Sequence, residues 1–476
     1  MKVSTVLATL LASLVSAPPA LAGPQQISEA TREMSSQQLD GTWTGVLQAG
    51  PFVKLHLVLH LDRNSDGSWA GTLDSPDQGR LGIPLDHVDY RDGLLVATSN
   101  RLHGGFSGRY VAAEDRLEGT WAQGPFKTSL TLRRGPLPVV RRPQEPLPPY
   151  PYRVEDVHYP AGNVTLAGTL TLPEGQGPFP AVLLIPGSGL HDRDCTLFGH
   201  KPFKLWADTL TRRGIAVLRV DDRGTGASSG DPTKITSATN AADARAGVAY
   251  LRSLPEIDPR RVGLLGHSEG GLIADMVAAA DPEIAFIVLL AAPALPGDQI
   301  IEQQVGMLAR ASGRTPEEVQ EAVAKQAQIL AIVKGPDDES EARRRLMAVL
   351  IGPNLTATER EQAEAAIDAL LSPWYRYFVR TDPRTYLARV RCPVLAIDGQ
   401  LDLQVASQPN LTEIQAILEK NGNHAVTVLS LPHLNHLLQT ARTGLPDEYG
   451  EIQETLAPEA LASVGAWIVT HDDPAR

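Results

Sequence analysis

Gly266-His267-Ser268-Glu269-Gly270 is the stretch on which the reading of this chain turns. It follows the apolar run Val262 to Leu265 and leads into a helical pattern from Gly270 to Ala280. A bare G-x-S-x-G arises by chance in many proteins. Between a strand and a helix it acquires a physical meaning: the small residues permit a sharp turn that lifts the Ser268 hydroxyl above a sheet. The N-terminus of the following helix also presents backbone N–H groups to negative charge developing nearby. The bland alternative is a glycine-rich turn with a surface serine.

Outward from this turn, short apolar strands alternate with amphipathic helices. The strands are Ala181 to Ile185, Ile215 to Val220, Val262 to Leu265, Phe286 to Ala291, Val394 to Ile397 and Val426 to Leu429. Helical patterns run near Pro202 to Arg213, Asn240 to Leu254, Gly270 to Ala280 and Pro458 to Val469. Near-continuous apolar strands are those of a sheet covered on both faces, so the order predicts an α/β fold with a doubly wound, mostly parallel sheet. Strand signals at Arg153 to Tyr159 and Val164 to Leu172 suggest a hairpin ahead of it. Residues 152–476 are therefore expected to form this domain. From Pro296 to Val390 only helical signals occur, which predicts a helical cap inserted over 296–390. Thr315-Pro316-Glu317-Glu318 is a helix start with a capping pair, Thr356 and Glu359 repeat it, and Ser372-Pro373 opens a helix bearing Trp374, Tyr375 and Phe378.

Upstream the period changes from helical to two. Val53, Leu55, Leu57, Leu59 and Leu61 alternate with other residues before the turn Asn64-Ser65-Asp66-Gly67. Further strands are suggested at Ser68 to Leu73, Leu94 to Thr98, Leu117 to Trp121 and Thr128 to Leu132. Residues 35–134 thus read as a small all-β barrel or sandwich domain. The proline-dense stretch 135–151 reads as an extended linker. At the start, Lys2, the apolar run Val6 to Val15 and Ala20-Leu21-Ala22 have the order of a signal peptide over residues 1–22, which predicts an exported protein, periplasmic or secreted. The apolar run is shorter than the roughly 20 residues a spanning helix needs, so no membrane span is expected in the mature protein.

A length of 476 residues with 42% hydrophobic content allows more than one domain with a buried core. The formal net charge of -12 lacks the basic footprint of nucleic-acid binders, so a nucleic-acid partner is not expected. Only Cys195 and Cys392 are present, too few for a disulfide framework, and their places near opposite ends of the sheet predict two free thiols. Neither a metal-ligand spacing such as H-E-x-x-H nor a phosphate-cradling glycine loop occurs, so no metal and no cofactor are expected.

The chain resembles the α/β-hydrolase superfamily, and within it bacterial secreted serine carboxylesterases. The resemblance rests on Gly266-His267-Ser268-Glu269-Gly270-Gly271, on Ile185-Pro186-Gly187-Ser188-Gly189 followed by Asp192-Arg193-Asp194, and on Asp222-Arg223-Gly224-Thr225-Gly226. It covers about Arg153 to the C-terminus. It implies a Ser-His-Asp triad with Ser268 as nucleophile and a small-molecule ester of short to medium acyl chain as substrate.

A serine hydroxyl needs an adjacent imidazole to take its proton, and the superfamily's chain order of nucleophile, acid and histidine puts that base after the last strand. His436 and His433 both lie there, and the resemblance favours His436, between Asn435 and Leu437-Leu438. His191, His200 and His424 read as ordinary loop residues. The acid belongs after Val394 to Ile397, where Asp398 and Asp402 compete and the family's Gly-x-x-Asp position matches Asp402. The oxyanion hole is expected from the backbone N–H groups of Glu269 and Ser188, with Gly189 as the alternative to Ser188. For Trp374, Tyr375 and Phe378 two readings stand: cap packing, or the wall of an acyl pocket. Asp192-Arg193-Asp194 and Asp222-Arg223 read as ion pairs pinning loops, or as a charged rim. Peptidase or amidase action, thioester cleavage or acyl transfer on the same fold, and an inert binding protein are the competing functions.

Overall fold

The computed structural model describes residues 39–471 apart from 51–52, 79, 101, 103, 124–125, 138–141, 337 and 351–356. The expected signal peptide and Thr356 lie outside the described residues. The chain divides into two units. One comprises Met1–Val140, Leu197–Gly199 and Arg343–Ala369; the other comprises Arg141–Thr196, His200–Ala342 and Leu370–Arg476.

In the first unit, nine antiparallel strands form one sheet in the order β4-β3-β2-β1-β9-β8-β7-β6-β5. They are β1 (Gly41–Gly50), β2 (Val53–Arg63), β3 (Trp69–Ser75), β4 (Arg80–Pro84), β5 (His87–Arg91), β6 (Leu94–Ser99), β7 (Gly104–Val111), β8 (Arg116–Gln123) and β9 (Phe126–Arg134). The two-residue period of β2 turns Leu57, Leu59 and Leu61 into one core with Trp43, Leu95, Phe106, Leu117, Trp121, Leu130 and Leu132. A single sheet curled round that core is an open barrel, so of the two expected architectures the barrel is the nearer. β1, β4, β5 and β7 were not expected. β4 and β5 are only five residues each, and β7 carries Gly104, Gly105 and Gly108, which lower strand propensity.

The second unit contains the eight-stranded sheet β10-β11-β13-β12-β14-β15-β16-β17. The hairpin β10 (Arg153–Ala161) and β11 (Val164–Leu172) is antiparallel. β12 (Phe179–Ile185), β13 (Ala216–Val220), β14 (Ile257–His267), β15 (Ile287–Leu290), β16 (Val394–Gly399) and β17 (Val426–Leu431) run parallel to one another. This is the doubly wound, mostly parallel sheet that the alternating pattern predicts. The helices are α1 (Pro202–Thr211), α2 (Ser237–Ser253), α3 (Glu269–Ala278), α4 (Gly297–Ala311), α5 (Pro316–Lys334), α6 (Glu339–Leu350), α7 (Ala357–Leu370), α8 (Pro373–Arg380), α9 (Arg384–Leu387), α10 (Ser407–Lys420) and α11 (Pro458–His471). Phe203, Trp206 and Leu210 of α1 and Val464 and Ile468 of α11 bury one sheet face with Val182, Leu265, Val288, Leu395 and Ile397. Helix α10 was not expected.

Among its described residues the stretch between β15 and β16 holds helices joined by short loops and no strand. α5 opens on a complete capping box, with Thr315 accepting from the Glu318 N–H and Glu318 reaching back to Thr315. α8 starts at Ser372, which accepts from the Tyr375 N–H. Arg343–Ala369, in the middle of this stretch, groups with the first unit. Both cysteines are free. Among the described residues no helix is long and apolar enough to cross a membrane.

Candidate active site

The parallel register aligns four strand ends: His267 pairs with Leu290, Leu290 with Ile397 and Gly399 with Leu431. The loops that leave these ends carry the residues singled out from the sequence, because ligands of open α/β sheets sit outside the carboxyl ends of the strands.

Ser268 sits between β14 and α3 with φ 56° and ψ −125°, a conformation that L residues rarely adopt and that proteins retain where function needs it. Its neighbours explain how. A Cβ on Gly266 would lie 2.1 Å from the Gly270 carbonyl oxygen, and one on Gly270 would lie 2.1 Å from that of Ile185. Only glycine lets the turn close this tightly. The Ser268 N–H is bonded to the Leu290 carbonyl at 2.8 Å and its carbonyl accepts from Gly271 at 2.9 Å, so the turn is fixed at both sides.

His436 is brought to this turn from 168 residues away in sequence, and the loop that carries it is stiffened locally. Asn435, fully buried, accepts from the N–H groups of Leu437 and Gln439 and donates to the Gln439 side chain, all at 3.0 Å. His436 is 4% exposed, and its Nδ1–H donates to Asp402 Oδ2 at 2.6 Å. The carboxylate is held in turn by the Gln404 and Val405 N–H groups on Oδ1, at 2.7 and 2.9 Å. This fixes the imidazole tautomer and leaves Nε2 as the basic nitrogen. His433, the rival base, is exposed on the same loop, and the Asp402–His436 pair does not involve it.

Asp398, the rival acid, ends β16 and accepts from its neighbour Gly399 N–H at 2.7 Å. Its carboxyl is buried against Asp402, and burial followed by that neighbouring charge pushes it well above the usual carboxylate range. Burial and its neighbour thus favour the protonated form of Asp398.

His267 has no role assigned to it from sequence beyond its place in the motif. Its Nε2–H donates to the His436 carbonyl at 2.9 Å, and the two rings lie 4.9 Å apart. Burial, with His436 as the second cause, pushes its pKa down to about 3, so it stays a neutral donor. Because His267 adjoins Ser268, this bond ties the loop of His436 to the turn at Ser268. The signal was an imidazole directly preceding the serine of the motif.

On the far side of Ser268 runs the loop after β12, so near that a Cβ on Gly187 would lie 3.1 Å from the Ser268 Cβ. Ser188 belongs to this loop, and its hydroxyl donates to Glu269 Oε2 at 2.7 Å. The Glu269 carboxylate also accepts from Ser237 Oγ at 2.6 Å and from Trp374 Nε1 at 2.9 and 3.1 Å. Burial raises its pKa and these three donors hold it down. As the first residue of α3, Glu269 has a backbone N–H with no partner inside the helix. Trp374 is half-buried and stacks on Phe378 at 6.1 Å, while Tyr375 is 1% exposed.

The charged loop motifs form ion pairs. Arg193 clasps Asp221 at 2.7 and 3.1 Å and reaches Asp156 at 2.9 Å; Arg219 pairs with Asp194 and Arg223 with Asp243. Asp222 accepts the His191 N–H at 2.8 Å and burial pushes its pKa up to about 8. Its partners make it part of the bonding between two loops. Among the described residues no group of histidine, cysteine and carboxylate side chains could hold a metal ion.

Esterase EstD of Thermotoga maritima is 28% identical over 309 residues, covering 64% of this chain and 65% of the relative. Quorum-quenching protein AidA of Acinetobacter baumannii is 30% identical over 149 residues, covering 31% of this chain and 43% of the relative. The chain thus spans 65% or less of the length of these relatives. Among solved structures, Est1E from Butyrivibrio proteoclasticus with bound ferulic acid gives a TM-score of 0.39 at 16% identity, over 66% of this chain and 98% of that one. An esterase of Pyrococcus furiosus gives 0.41 at 18% identity, over 68% and 92%. The sequence profile of the X-Pro dipeptidyl-peptidase (S15) family matches residues 162–435, more than half of the chain and the whole span from β11 to the loop that carries His436, so this chain belongs to the S15 family.

Proposed function

We propose that this protein is an exported serine hydrolase that cleaves carboxylic esters of small molecules with short to medium acyl chains. Ser268 attacks the ester carbonyl while His436 Nε2 takes its proton, and Asp402 holds the imidazole and stabilises imidazolium. The backbone N–H groups of Ser188 and Glu269 receive the oxyanion. His436 then passes the proton to the leaving alcohol, and water resolves the acyl-enzyme by the same steps. Trp374 and Phe378 form the cap wall beside the acyl chain, with Trp374 nearest the nucleophile turn and the buried Tyr375 backing it at 6.0 Å. Export is through the signal peptide of residues 1–22.

The observation that carries the reading is the buried 2.6 Å bond from His436 to Asp402, joined through His267 to a serine held at φ 56°. Similarity to a protein named esterase supports ester cleavage over 64% of the chain. Membership of a family described by X-Pro dipeptidyl-peptidase activity favours a second reading, release of an N-terminal dipeptide. That reaction needs a carboxylate to receive the substrate's ammonium group. Of the carboxylates beside the turn, Glu269 is already engaged by three neutral donors and Asp222 by the His191 N–H. The ester reading requires no such group.

The test is hydrolysis of p-nitrophenyl esters of graded acyl length beside an X-Pro p-nitroanilide, with Ser268→Ala as control. Ester turnover that vanishes in Ser268→Ala is expected. Faster anilide than ester turnover would move the assignment to the peptidase.

A further inference from the structure

The carboxylate of Glu269 is not used by the triad, yet it sits at the junction of four chain segments. It belongs to the first turn of α3, and its three donors come from the loop after β12, from the first residue of α2 and from the first turn of α8. At 2% exposure it is desolvated, and no arginine or lysine is among these donors. A carboxyl group buried among neutral dipoles is costly to ionise, and an amide or apolar group of similar size would avoid the cost. Its geometry suits it to a different task.

The loop it grips has a bond of its own, from His191 Nε2–H to the Ser188 carbonyl at 3.0 Å, but is otherwise rich in glycine. Gly187 and Gly189 flank Ser188, and Gly189 has φ +113°, so this part of the backbone has the widest conformational freedom available to the chain. Yet the Ser188 amide must stay within hydrogen-bond range of a point that the Glu269 amide also reaches. The 2.7 Å bond from Ser188 Oγ to Glu269 Oε2 joins the two residues directly. The Trp374 N–H, shared between both carboxylate oxygens, adds α8 to the same clamp.

We propose that the Glu269 side chain is a positioning residue that sets the oxyanion hole, holding the Ser188 loop and helix α8 against the nucleophile turn so that the two backbone amides converge. This rests on the serine-esterase reading above. The clamp acts in the transition state, where the oxyanion exists, and so affects kcat more than substrate binding. A donor displaced by about 1 Å costs on the order of 100-fold in rate.

Ser188→Ala is the cleanest variant, because it removes the hydroxyl and keeps the backbone N–H. Glu269→Ala removes the whole clamp. Glu269→Gln is the conservative variant: it keeps one accepting oxygen, but its NH2 cannot accept from the Trp374 N–H. In the full-length protein with p-nitrophenyl acetate, kcat should fall on the order of 100-fold in Glu269→Ala and about tenfold in Ser188→Ala and Glu269→Gln, with KM little changed. Affinity for a trifluoromethyl ketone, which adds to the serine as a tetrahedral oxyanion, should fall by the same factor as kcat. If Glu269→Ala does not fold, the other two variants carry the test. Both retaining kcat and ketone affinity within about twofold of the parent would overturn the proposal, whatever their melting temperatures. Ser268→Ala runs beside them: full ester turnover there would sink the esterase reading itself, whereas an inert Ser268→Ala with unaffected Ser188 and Glu269 variants would sink only the clamp.

Discussion

Replacing Asp402 by Asn removes one charge from a site that excludes water, and the surrounding donors dictate how the new amide must sit. Oδ1 receives the N–H groups of Gln404 and Val405 at 2.7 and 2.9 Å, and Oδ2 receives His436 Nδ1 at 2.6 Å. Turning the amide NH2 toward Gln404 and Val405 would set donors against donors and forfeit two buried hydrogen bonds, at about 1–3 kcal/mol each. The NH2 therefore faces His436. The imidazole must then offer a lone pair from Nδ1 and carry its proton on Nε2, where it can no longer take the proton of Ser268. The same inversion in another serine hydrolase lowers kcat about 10,000-fold. At about 1.36 kcal/mol per tenfold that is roughly 5 kcal/mol of transition-state stabilisation. The assay is turnover of p-nitrophenyl acetate near pH 7 with Tm measured alongside. Turnover within about tenfold of the parent, or a greater loss in Asp398→Asn than in Asp402→Asn, would refute the assignment of the acid.

Three further substitutions probe the frame around the site. Gly266→Ala places a Cβ 2.1 Å from the backbone oxygen of Gly270, so the turn must shift; a loss of about 1–3 kcal/mol, read as a lower Tm, should accompany lost activity, and a normal Tm would mean the turn is looser than described. Asp275 on α3 is fully buried with neither carboxyl oxygen hydrogen-bonded, and burial pushes its pKa well above the usual 3.8. The native state then holds a proton that the unfolded chain releases, so this residue's contribution to stability declines as pH rises above the unfolded value. Asp275→Asn should raise Tm by an amount that widens between about pH 4.5 and about pH 8, and a constant or reversed gap would show a paired carboxylate. Thr315→Ala breaks the capping box of α5 and should cost about 1 kcal/mol by thermal melting, with no change in Tm meaning that neighbouring packing alone fixes the helix start.

What the chain alone decides is local. The period of two in β2, the alternation of apolar strands with helices, and the helix starts at Thr315 and Ser372 each depend on residues within a few positions of one another. The turn at Ser268 is of the same kind: Gly266 and Gly270 are required by contacts within the motif and with the adjoining strand β12. Strands too short or too rich in glycine, such as β4, β5 and β7, carry little local signal and are fixed by their partners in the sheet. For His436 and Asp402, sequence offered two imidazoles and two carboxylates on the right loops; the family resemblance favours one of each, and the fold supplies the physical difference between them. It buries His436 against Asp402 and leaves His433 exposed. It sets Asp398 beside Asp402, where burial and the neighbouring carboxylate disfavour the charged form of Asp398. The bond from His267 to His436 spans 169 residues and that from Trp374 to Glu269 spans 105, and no periodicity encodes such meetings. They follow from parallel strands that bring their carboxyl ends to one edge, where side chains distant in sequence share a site from which water is excluded.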